Sequence, residues 1–161
     1  MLNRPAQTLV NFADEYIYSI GRRSVLVYSI EYDDWTGCAP LKKDRFGSSG
    51  CALGDFVYVC GGYGQGSIAH GIPFQNSIER FNASHASKEL HYYPNVLQVH
   101  PPPQPEQHAY WELIELADSH QFLAREAAFV APISSDEIAI FGGCLPFWGF
   151  QGDGWVFDAR Y

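Results

Sequence analysis

The chain has 161 residues, of which 47% are hydrophobic and 17% charged, and this balance indicates one folded globular domain rather than a disordered segment. Its formal charge of −8, with only ten Lys and Arg residues, leaves no basic stripe that could neutralise phosphates, so we expect no nucleic-acid partner. No stretch approaches the roughly 18–20 apolar residues of a membrane span, and no signal-peptide core appears, so we expect a cytoplasmic protein without membrane contact.

The glycine and aromatic content favours an all-β fold. Fifteen glycines, ten prolines and 16% aromatic residues are spread along the chain. This composition is typical of many short strands joined by tight turns. The cysteines show no metal-binding spacing and are expected to be reduced core thiols; they are Cys38, Cys51, Cys60 and Cys144.

The first predicted unit covers residues 12–40 and begins at its second strand. An apolar run from Tyr16 to Ile20 ends at Gly21, and "SVLVYSI" forms the next apolar run. A further strand is expected around Trp35, which stands seven residues after Tyr28. Runs rich in β-branched and aromatic residues between turn residues predict short strands.

The second unit, residues 45–117, contains the pattern in full. Arg45 precedes a short run, a Gly-Asp hairpin turn and the β-rich run "FVYVC", which is closed by Gly61-Gly62. A strand containing Phe81 and a fourth strand near Trp111 follow. The sequence therefore predicts a sheet of four strands.

An insertion at residues 84–108 separates the last two strands of this unit. It contains "PPPQP", a segment typical of the polyproline II conformation that aromatic grooves bind, but a solvated variable loop is the favoured interpretation. Five of the six histidines lie in or just beyond the insertion without metal-binding spacing, so no metal site is predicted; they are His85, His91, His100, His108 and His120.

The third unit, residues 125–161, repeats the order but stops after its third strand. Arg125 precedes an apolar run, a polar turn and the run "IAIF", which ends at Gly142-Gly143. The separation from the arginine to the first glycine is 17 residues here and 16 in the second unit. A third strand follows in "GWVFDARY", which contains Phe157.

This order of arginine, strand, turn, strand, glycine pair, loop and aromatic strands resembles the kelch repeat. Each kelch repeat builds one four-stranded antiparallel blade of a β-propeller, so the resemblance implies about two and a half blades, similar in shape to WD40 blades, in a single partial propeller over residues 1–161. The residues that carry the resemblance are Arg45, Gly61, Gly62, Arg125, Gly142, Gly143, Tyr28, Trp35, Phe81, Trp111 and Phe157.

The resemblance implies a non-catalytic scaffold that binds proteins through the loops between strands. The candidate contact residues are Tyr63, Phe74, Tyr92, Tyr93, Phe147, Trp148 and Phe150. Two alternatives stay open, namely a fragment of a galactose-oxidase-like enzyme and a structural component of a cytoskeletal assembly. No nucleophile elbow, phosphate-binding loop or dinucleotide fingerprint occurs, so we expect neither an enzyme nor a cofactor.

The predicted unit count does not close a ring. Closed propellers typically have four to eight blades, and two and a half would expose apolar faces beyond the few hundred Å² that a soluble monomer tolerates. We therefore expect a fragment of a longer chain, self-association or assembly with another propeller protein, or a truncated product that folds poorly.

Overall fold

A computed structural model describes residues 8–64, 74–84, 111–116, 125–145 and 149–160. These residues contain thirteen β-strands in four antiparallel sheets. In chain order the strands are β1 (Thr8–Phe12), β2 (Tyr16–Ile20), β3 (Val25–Ser29), β4 (Asp34–Cys38), β5 (Ser49–Leu53), β6 (Phe56–Cys60), β7 (Ser77–Asn82), β8 (Glu112–Glu115), β9 (Phe129–Pro132), β10 (Glu137–Phe141), β11 (Cys144–Leu145), β12 (Gly149–Phe150) and β13 (Gly154–Asp158).

The first sheet is a four-stranded meander in the order β1-β2-β3-β4. Its alternating residues are buried on one side, as Val10 and Tyr18 are, because successive side chains of a strand point to opposite faces. Strand β1 was not predicted from the sequence, and the expectation that the first unit lacks its first strand is wrong. Asn11 interrupts its apolar pattern, and only the pairing with β2 identifies the segment as a strand.

The second sheet is a four-stranded meander in the order β5-β6-β7-β8, as predicted. The third sheet has the order β13-β10-β9, and the connection from β10 to β13 contains the small hairpin β11-β12. The described residues thus form sheets of four, four and three main strands, and none of these sheets closes into a barrel.

The first strands of the three larger sheets lie side by side, with β5 between β1 and β9. The core consists of two layers. The first layer lies between the first and second sheets and contains Val27, Val57 and Trp111. The second layer lies between the second and third sheets and contains Ile78 and Ile138. The second sheet is therefore covered on both faces, which explains why "FVYVC" reads as a continuous apolar run.

One aromatic contact recurs in both core layers. Tyr18 of the first sheet meets Phe81 of the second, with ring centroids 6.2 Å apart and an angle of 59° between the rings. Tyr58 of the second sheet meets Phe157 of the third, again at 6.2 Å and 59°. The three sheets thus stack through equivalent positions.

The all-β prediction is confirmed, and so are antiparallel sheets of four strands. Within the described ranges, no helix is long and apolar enough to cross a membrane.

Candidate interaction surface

A buried arginine lies at the end of the second sheet where a glycine pair follows β6. We call this end, and the equivalent end of the third sheet, the glycine end. Arg45 and Glu79 are both fully buried, and the guanidinium Nε donates to the carboxylate at 2.9 Å. The Arg45 Nη1 donates to the carbonyl oxygens of Gly61 and Ser77, and the Nη2 donates to the Ser77 hydroxyl. Glu79 also accepts the backbone N–H groups of residues 42 and 43. Because both charges are fully buried, removal of either partner would leave an uncompensated charge in the core.

Arg125 has the equivalent place in the third sheet, where it donates to the carbonyl oxygen of Gly142 at 2.9 Å. It also forms a bidentate ion pair with Asp153, at 2.7 and 3.0 Å. The hydrogen bonds from Arg125, with a further one from Trp155, lower the pKa of Asp153 to about 2. The Asp153 side chain is 45% exposed, so this pair is more open to solvent than its counterpart in the second sheet.

The glycine pairs bring the backbones of neighbouring segments into contact. Gly61 has φ +66°, and a Cβ atom built there would lie 2.3 Å from the carbonyl oxygen of Arg125 in the next unit. That same carbonyl accepts the N–H of Gly62 at 2.8 Å. At Gly143, φ +89°, a Cβ atom would lie 2.8 Å from the carbonyl oxygen of Glu126. Only glycine fits such approaches with positive φ.

Two of the candidate contact residues form an aromatic cluster beside this junction. Tyr63 stacks on Phe46 at 5.4 Å and contacts Phe74 at 5.9 Å. The guanidinium of Arg22 lies 5.3 Å from the Phe46 ring centre and forms an ion pair with Asp44. The three rings are half-buried, so one side of each remains open to solvent. Sequence reasoning did not anticipate Phe46 or Arg22.

The loop after β10 leaves from the equivalent place in the third sheet. Glu126 pairs with Cys144 there as Phe46 pairs with Tyr63 in the second sheet. Phe150, on β12, is 93% exposed, which is unusual for a large apolar side chain. Phe147 and Trp148 lie outside the described residues.

The insertion begins and ends at the opposite end of the second sheet. Ser84 donates to the turn residue Asp55, and Trp111 precedes β8, where Glu112 pairs with Arg80. The candidate contact residues fall in three connections between strands. Those after β6 and β10 begin at the glycine end, and the insertion between β7 and β8 begins at the opposite end, beside the β5–β6 turn. Tyr92, Tyr93 and the five histidines in or just beyond the insertion lie outside the described residues.

The aromatic repeat positions occupy equivalent sites in the sheets. Trp111 stacks on Phe81 at 5.3 Å, and Trp35 lies 5.1 Å from Tyr28 on the neighbouring strand. Trp111 is buried and donates from its indole N–H to a backbone carbonyl of the first unit, whereas Trp35 is 49% exposed. By pairing register, Phe157 occupies the position on the third strand of its sheet that Tyr28 and Phe81 occupy on theirs.

The described residues hold little that suggests chemistry on a small molecule. A depression of about 180 Å³ lies between the β5–β6 and β9–β10 turns, below the about 300 Å³ of typical ligand pockets. No group of three or more potential metal-ligating side chains occurs in the described ranges. All four cysteines are free, and burial raises the pKa of Cys38, Cys51 and Cys60 to about 12, so these thiols are unreactive at neutral pH.

Comparison of the sequence with protein-family models and with curated proteins finds no match. The kelch resemblance therefore rests on the residues and contacts described above.

Proposed function

We propose that the chain is a set of kelch-like propeller blades that acts as a non-catalytic protein-binding module. The observation that carries this proposal is the shared position of two loops, which leave the second and third sheets directly after an arginine-bound glycine pair. The equivalent backbone pairs Phe46–Tyr63 and Glu126–Cys144 start these loops. The sheets provide a rigid support, and the loops can vary without changing it.

The chemistry of the glycine end fits a protein surface. The aromatic cluster of Phe46, Tyr63 and Phe74 offers flat, partly open rings, and Phe150 projects into solvent from the equivalent loop of the third sheet. Large rigid aromatic side chains and arginine are the residue types that dominate binding energy at protein interfaces. Arg22, which lies over Phe46, adds a cation at the edge of the cluster.

The test is affinity purification of binding proteins with the wild-type chain and with two single variants. Phe150→Ala removes the exposed ring at the glycine end, and Tyr32→Ala removes an exposed ring, 57% accessible, from the β3–β4 turn of the first sheet. We expect proteins enriched by the wild type to be lost with Phe150→Ala and kept with Tyr32→Ala. Enrichment that is identical for all three chains would contradict binding through the glycine end.

A further inference from the structure

The outer face of the third sheet is an apolar surface that no described sheet covers. We call it the third-sheet face, and its apolar residues are Phe129, Ala131, Ala139, Phe141 and Val156, which share one side of the sheet by pairing register. Phe129, Phe141 and Val156 are 67%, 52% and 59% exposed. The same side also carries the cross-strand pair Glu137 and Asp158 at the β9–β10 turn. Apart from that edge the face is apolar and exposed, which is typical of a surface that is covered by protein.

The outer face of the first sheet, at the other end of the stack, is also apolar in large part. This first-sheet face contains Leu9, Ile17, Leu26, Tyr28 and Trp35, which share one side of the sheet. Leu9, Leu26 and Trp35 are 65%, 41% and 49% exposed. Two apolar faces thus stand at opposite ends of the same stack.

The two faces are the two halves of the interface that occurs twice inside the chain. In each core layer, a tyrosine on the second strand of one sheet meets a phenylalanine on the third strand of the next sheet. Each of these tyrosines stands three residues before the glycine that follows its strand. Ala139 stands at the same distance before Gly142, so it holds the equivalent position in the third sheet. The pairing register gives Tyr28 the position of these phenylalanines.

Two further residues show conformations or exposures that another sheet would explain. Trp111 is buried because the first sheet covers it, whereas its counterpart Trp35 is half exposed. Gly142 has φ +68°, nearly the same as Gly61 at +66°. The backbone of the next unit approaches Gly61 closely, but the nearest described atom to a Cβ built at Gly142 is the carbonyl oxygen of Gln151, at 3.6 Å.

We infer that the third-sheet face of one copy packs against the first-sheet face of a second copy, so that two chains join head to tail through two identical contacts. The inference rests on the propeller arrangement proposed above. Two copies supply six larger sheets, which lies within the four to eight blades of closed propellers. A head-to-tail contact that closes after two copies forms a symmetric dimer.

A second copy is the occupant because the chain itself carries both complementary halves. The third-sheet face has a small residue, Ala139, where the internal interfaces have a tyrosine, and this leaves room for larger partners. The first-sheet face supplies such partners in Tyr28 and Trp35, whose rings lie 5.1 Å apart. No other component is needed to cover either face.

The first measurement is the mass of the full chain by light scattering after size-exclusion chromatography. We expect a discrete species at twice the 18.1 kDa of one chain. A monomer at every concentration, or a ladder of larger open assemblies, would overturn the inference. A monomer would leave the two faces to further sheets of a longer chain or to a different protein.

Two charged variants test the head-to-tail arrangement. Leu26→Asp damages only the first-sheet face, and Ala139→Asp damages only the third-sheet face. We expect each variant alone to be monomeric, because both contacts in a homodimer include the damaged face, and a mixture of the two to form a heterodimer through its one intact contact. Phe150→Asp is the matched control and should remain a dimer, since Phe150 lies on a loop hairpin. Homodimers of either single variant would contradict the arrangement.

A crosslink provides a test that does not depend on a charge within an apolar face. The double variant Tyr28→Cys, Ala139→Cys should be joined by a thiol-reactive crosslinker of about 10 Å between position 28 of one chain and position 139 of the other, because facing sheets pack about 10 Å apart. Within one chain the two positions are separated by the stack of sheets, at about 10 Å per layer. Peptide mapping that finds no such link would overturn the inference.

These outcomes are separate from those of the proposed function. Loss of dimers with retained, Phe150-dependent protein binding would remove the inference alone. Dimers without any Phe150-dependent binding would remove the proposed function alone.

Discussion

Replacement of Gly61 by alanine should be among the most damaging single-methyl changes in the described part of the chain. Two effects contribute. An L-residue at φ +66° costs about 1–2 kcal/mol in backbone strain. In addition, the new Cβ would lie 2.3 Å from the backbone carbonyl oxygen of Arg125, which is a contact that no side-chain rotation can relieve.

The steric contribution can be bounded from the structure. Displacing a packed segment costs about 1–3 kcal/mol. The shift also weakens the 2.8 Å hydrogen bond from the N–H of Gly62 to the carbonyl of Arg125, with a cost of about 1 kcal/mol. Together with the backbone strain, Gly61→Ala should lower the free energy of unfolding by about 3–6 kcal/mol.

Gly54 provides the matched control, because it has φ +57° and no atom within 4 Å of a built Cβ. Gly54→Ala should therefore cost only the backbone strain, about 1–2 kcal/mol. Urea unfolding of both variants at equal chain concentration gives the comparison, with the slope m checked for constancy. Equal costs at Gly61 and Gly54 would refute the close approach between the second and third units. Gly66, a loop position where alanine is expected to be nearly silent, lies outside the described residues.

Three further predictions concern the two arginine ion pairs and two tyrosine hydroxyls. Arg45→Met should lower the free energy of unfolding by about 3–5 kcal/mol, because it leaves a fully buried carboxylate unpaired, and Arg125→Met should cost less in the same urea experiment because its partner is half exposed. Tyr18→Phe should raise the free energy of unfolding by about 1 kcal/mol, since the buried hydroxyl has no hydrogen-bond partner among the described residues. Tyr58→Phe should lower the free energy of unfolding, since the Tyr58 hydroxyl forms a hydrogen bond with Arg80. The pKa of Asp153 is lowered from 3.8 to about 2, so the ionised carboxylate stabilises the folded state fully above pH 3.8, and this stabilisation is lost as the pH falls towards 2. Asp153→Asn should flatten this part of the curve of unfolding free energy against pH. An unchanged curve would contradict the ion pair.

The repeat positions could be predicted because they depend on local sequence. Arg45 and Arg125 stand at matched distances from a glycine pair, and both bind the carbonyl oxygen of the first glycine. Their acid partners were not predicted. Glu79 lies within a third strand and Asp153 lies just before one, so no common spacing from the arginine identifies both. Arg4 stands 17 residues before Gly21, which is the spacing of the third unit, and lies outside the described residues.

The placement of the loops needed the order of the strands. The connection from β7 to β8 leaves from the end opposite the β6–β7 connection, since successive strands of a meander run in opposite directions. A count of strands would have separated the insertion from the glycine-end loops. The aromatic cluster, by contrast, joins Phe46 and Phe74 across Tyr63, and no sequence spacing indicates that contact.

Most of the strands, their alternating faces and the glycine turns could be predicted from local sequence, with β1 and the hairpin β11-β12 as exceptions, because period-two burial and positive φ are properties of a few adjacent residues. Which faces are covered depends instead on contacts between sheets that are far apart in the sequence. Tyr28 and Phe81 occupy the same position in their sheets and read alike in the sequence, yet Phe81 is buried and Tyr28 is not. Burial of a sheet face depends on the neighbouring sheet, and among the described sheets the first has such a neighbour on one side only.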